Sequence, residues 1–63
     1  MIDERQTVLV IEEEIIIRVA IAGDFQDGGF NGLEAGNSGE ALAHLARDAS
    51  IRALRTQYGV VSK

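Results

Sequence analysis

The sequence predicts a small α/β fold in which strands and helices alternate as strand, helix, strand, helix. Three observations carry this prediction. The run TVLVI, residues 7–11, is β-branched and apolar without polar alternation, which is how a strand covered on both faces reads. Ile17, Ala20, Ile21 and Phe25 then recur at helical spacing, with Ile16 extending the same apolar stripe. Asn37 is followed three residues later by Glu40, the pattern of a capping box opening a second helix.

The elements follow in order. Residues 1–6 form a polar tail, and the first strand runs over 7–11. Glu12, Glu13 and Glu14 occupy the turn and the first helical turn, where the helix macrodipole favours negative charge. Gly28-Gly29 ends this first helix. Phe30 to Ala35 forms a second strand, weakened by Gly32, and Gly36-Asn37 turns the chain. The second helix buries Ala41, Leu42, Leu45 and Ala46 and shows Glu40, His44, Arg47 and Asp48 to water. Short connections between alternating elements imply parallel strands joined by right-handed crossovers.

Residues 51–63, IRALRTQYGVVSK, are ambiguous. As a strand they would place Arg52 and Arg55 on opposite faces, a poor pattern for a buried sheet. As a helix, Ile51, Leu54 and Tyr58 align at i, i+3 and i+7, and periodicity favours the helix.

The bulk properties bound the function. The chain has 63 residues, 46% of them hydrophobic and 25% charged, which describes one small globular domain. A chain of this size buries only about 60% of its unfolded surface, so stability needs help from disulfides, a metal or a partner chain. There are no cysteines, which leaves the metal and the partner. No apolar run reaches the roughly 18 residues that span a bilayer, and MIDERQ, polar and mixed in charge, is unlike the n-region of a signal peptide. A cytoplasmic protein without membrane partners is expected.

Net charge is −4, unevenly spread. Residues 1–46 hold nine acids against two bases, whereas 47–63 hold Arg47, Arg52, Arg55 and Lys63 against Asp48. So small a basic surface argues against nucleic-acid binding. It favours self-association, with one chain's tail near another's acidic end.

Three adjacent carboxylates at a strand end have two readings: a divalent-cation site, or charges solvated at a helix N-terminus. Two glutamates alone make a sparse ligand set for a hard cation. His44 has no second histidine or cysteine to complete a metal site and is expected on a solvated helix face. The glycines spell neither a dinucleotide nor a P-loop fingerprint.

The ordered set comprises the apolar strand ending in Glu12-Glu13, then Glu14, Arg18 and the run GF…LEAGNSGEAL. Over residues 7 to 57 it resembles the N-terminal half of a response-regulator receiver domain from two-component phosphorelay signalling. The resemblance implies half of a flavodoxin-like fold. It also implies that Glu12 and Glu13 stand where the family binds Mg2+, beside an aspartate that accepts a phosphoryl group from a histidine kinase.

The chain departs from that pattern in several places. Gln57, an amide, falls at the phosphoacceptor position, and Arg55 falls where an apolar residue is expected. Ile15 replaces the usual proline, and the sequence ends at Lys63 before the family's later strands.

The expectation is therefore a truncated, phosphorylation-incompetent receiver-like module with no catalytic residue. It dimerises or docks on receiver domains or a histidine kinase. Val8, Leu9, Val10, Ile11, Ile17, Ile21, Phe25, Leu42, Leu45, Leu54 and Tyr58 form its core and dimer surface. A second copy is expected to replace the missing third strand beside an otherwise bare first strand. Two other readings are an active receiver whose nucleophile comes from a second chain, and a remnant or redesigned fragment without selected activity.

Overall fold

In the computed structural model, residues 5–56 are described. They form β1 (Thr7–Ile11), α1 (Ile15–Asp27), β2 (Asn31–Ala35), α2 (Ser38–Arg47) and β3 (Arg52–Arg55). The three strands make one parallel sheet in the order β2-β1-β3. The chain steps from β1 to β2 on one side, then from β2 across to β3 on the other. Two crossovers of the same hand in opposite directions put the helices on opposite faces.

The core has that two-sided form. Leu9, Ile11, Ala35 and Ala41 cluster beneath α2, joined by half-buried Leu33, Leu45 and Ile51. Val8, Val10 and Ala22 cluster beneath α1, joined by Ile21, Phe25 and Phe30. Alternate β1 residues thus face opposite helices, which explains why TVLVI carries no polar alternation.

Local chemistry sets the helix ends. Gly29 adopts φ +94°, Phe30 N–H donates to the Phe25 carbonyl, and Gly29 N–H donates to that of Gln26. This is a Schellman closure, and its apolar contact is the edge-to-face pair Phe25–Phe30, with ring centroids 5.6 Å apart. At α2, the Asn37 side chain accepts from Glu40 N–H at 2.9 Å. The Glu40 carboxylate accepts from Gly36 N–H at 2.7 Å, one residue earlier than an ideal capping box.

Several expectations are corrected. The segment after α2 contributes strand β3, not a helix, over its described part. Arg52 and Arg55 do point to opposite faces, but β3 is an edge strand exposed along its length. Both guanidiniums therefore stay in water, and the conflict with burial never arises. Consequently β1 is the central strand rather than a bare edge. Leu54 is 39% exposed and Leu42 is 66% exposed, so neither is core. α2 buries Ala41 and half-buries Leu45, while Ala46 is exposed. On α1, Ile17, Ile21 and Phe25 are half-buried, but Ile16 and Ala20 face outward and Ala22 is the buried residue. No acid lies in the first turn of α1, because the glutamates precede the helix. Gln57 and Tyr58 lie outside the described residues.

Candidate functional site

The carboxyl ends of β1 and β3 meet where the chain's two crossovers diverge. In open parallel sheets such a switch point is where ligands bind. Here Glu12 follows β1 and Thr56 follows β3, and Thr56 N–H continues the ladder by donating to the Ile11 carbonyl at 3.1 Å.

Glu12 is fully buried. Its carboxylate accepts from the Thr56 hydroxyl on one oxygen and from Glu14 N–H, at 2.9 Å, on the other. The Thr56 bond foremost, then the Glu14 N–H, holds the Glu12 carboxyl below its ordinary value. Burial opposes this, and the charges of Arg18 and Arg55 assist it. A buried carboxylate tolerates burial only when satisfied in this way.

Two arginines frame the site. Arg18, from α1, donates to the Glu12 backbone carbonyl at 3.1 Å and pairs with Glu34 of β2 at 3.2 Å. Its guanidinium lies under Gly36, where a Cβ would stand 2.8 Å from Nη1. Arg55 reaches the Glu13 carboxylate at 3.6 Å and the Ser38 hydroxyl at 3.4 Å. It links the end of β3 to the start of α2.

The two candidate metal ligands are thus engaged differently, Glu12 inward with Thr56 and Glu13 outward with Arg55. A cation at this place would have to compete with Thr56, Glu14 N–H and two guanidiniums. Among the described residues, no group of three or more metal-ligating side chains converges. The sequence reading singled out the acid pair but missed Thr56 and Arg18 as its partners. Placing Thr56 required the strand register, Val8 to Arg52 through Ile11 to Arg55.

A cavity of about 590 Å³ opens at the opposite, amino end of the sheet. His44 and Arg47 of α2 line it with Phe30, Leu33 and Ile51, so His44 is half-buried rather than solvated. The acid cluster and this cavity are separate places.

Compared with known proteins, the chain matches no family model, no curated protein and no solved structure. No helix among the described residues is long and apolar enough to cross a membrane.

Proposed function

We propose that the chain is a receiver-like interaction module of two-component phosphorelay signalling, which self-associates and does not itself accept a phosphoryl group. The observation that carries this reading is the tie between Thr56 and Glu12 at the switch point. The leading carboxylate of the acid pair is closed off by the neighbouring strand instead of facing an open cation pocket. Gln57, the next residue, is an amide and cannot serve as the carboxylate nucleophile. The parallel order β2-β1-β3 supports a flavodoxin-like arrangement. The proposed partners are a second copy, receiver domains or a histidine kinase, in the cytoplasm, with neither nucleic acid nor membrane. No cofactor is required, and any Mg2+ at Glu12 and Glu13 is weakly held.

Incubation with a small phosphodonor and Mg2+, followed by intact mass measurement, tests the central clause. The expected result is no phosphoryl adduct. A Mg2+-dependent, acid-stable and base-labile adduct would overturn it and favour an active receiver completed by another chain.

A further inference from the structure

Helix α1 opens with IIIRVAIAG, nine residues with a single charge. That charge, Arg18, turns onto Glu34 and the Glu12 carbonyl. The outward side of the helix is therefore left without a polar residue over its first two turns. Ile15 is 60% exposed, Ile16 81% and Val19 51%. A helix apolar all round belongs inside a structure. Three large aliphatic residues gathered on one exposed helix side form a contact surface rather than scattered surface apolars.

The same side of the sheet has a matching gap. Both helices pack on β1 and β2, while β3 is exposed throughout. Leu54 pairs in register with Val10, and Arg52 with Val8. Val8 and Val10 face α1, so Leu54 and Arg52 share that face. Among the described residues, one copy thus offers an apolar helix side and an exposed strand face.

Charge complementarity says what fits there. Arg52 makes no ion pair with any described residue, and neither do Asp24 and Asp27 on the later turns of α1. The strand face is basic and the helix that would cover it is acidic. A second copy supplies both halves at once, which is the self-complementarity of a two-fold interface.

We propose that two copies of this chain pack with the outer side of α1 of each, through Ile15, Ile16 and Val19, seated on the Leu54 face of β3 of the other. Arg52 then meets an acid of the partner's helix. This rests on the self-association reading above and specifies its surface.

Sedimentation of the full chain and of Ile16→Glu tests it. Two single-cysteine variants, Ile16→Cys and Leu54→Cys, provide a second readout, because the chain has no cysteine of its own. The expected results are a wild-type dimer and an Ile16→Glu dimer weakened about tenfold or more, from the loss of two buried isoleucines. A disulfide-linked heterodimer should also form when the cysteine variants are mixed and oxidised. If Ile16→Glu loses its fold together with its partner, the crosslink alone decides. A wild-type dimer with unchanged Ile16→Glu affinity and no crosslink overturns the proposed surface while leaving self-association standing. A folded wild-type monomer overturns both.

Discussion

The Thr56 hydroxyl donates to the buried Glu12 carboxylate, joining the ends of two adjacent parallel strands that lie 44 residues apart in sequence. This bond adds a side-chain tie to the backbone ladder that already pairs β3 with β1, although no β3 side chain is buried. Thr56→Val keeps the shape and removes the donor, leaving a buried carboxylate short of a partner. The expected outcome is a melting temperature lower by about 5 °C. Thr56→Ser, which restores the donor, should recover most of it in the same thermal scan.

The pH dependence follows from the same carboxylate. The Glu12 carboxyl lies below its ordinary value of 4.5 when folded. In acid the unfolded chain therefore binds its proton first, and stability rises with pH there. The contribution is fully present above about pH 4.5 and is lost as pH falls through the lower folded value. Asp48, lowered by the Ser50 hydroxyl and then by Ser50 N–H, adds an effect of the same sign. Glu12→Gln should flatten the fall in melting temperature below about pH 4.5. An unchanged acid slope in that variant would assign the loss to other groups.

Gly32 was legible only as a weak point in a strand, and the structure gives it a purpose. A Cβ there would stand 2.9 Å from the Ala22 carbonyl oxygen and 3.1 Å from the Gln26 side chain. Helix α1 therefore lies against β2 at a distance that only glycine permits. Gly32→Ala should destabilise by about 1–3 kcal/mol, read by urea denaturation. Gly36→Ala meets side chains rather than backbone, chiefly the Arg18 guanidinium, whose bonds to Glu34 and the Glu12 carbonyl would have to adjust, and should be milder.

Leu9 is fully buried at the centre of the middle strand. Leu9→Ala should lose about 2–5 kcal/mol, and Leu9→Asp should abolish folding by circular dichroism. Arg55→Ala, by contrast, removes an exposed pair with Glu13. It should change stability by less than about 1 kcal/mol, with the difference shrinking in high salt.

Elements whose partners are close in sequence were readable from it. The Schellman end at Gly28-Gly29 and the Asn37–Glu40 cap each depend on chemistry within a few residues, whereas the TVLVI strand was readable from its own unbroken apolar run although its partners lie in Asn31–Ala35 and Arg52–Arg55. What periodicity misjudged was the environment. RALR reads poorly as a strand if both its faces must be covered, and passes as one at an uncovered edge. α1 shows the converse, because its sequence offers apolar residues on every side. Which of them turn inward was settled by β1 and β2, which bury Ala22 rather than Ala20. The acid pair was visible as chemistry, but its state depended on Thr56, a contact only the sheet register creates.

The most direct test of the account is the solution mass of the unmodified chain across a dilution series, with circular dichroism on the same samples. Twice the chain mass is expected at high concentration, with ellipticity lost as the dimer dissociates. A chain that keeps its ellipticity as a monomer at every concentration would contradict it. It would mean that the exposed sides of α1 and β3 need no partner.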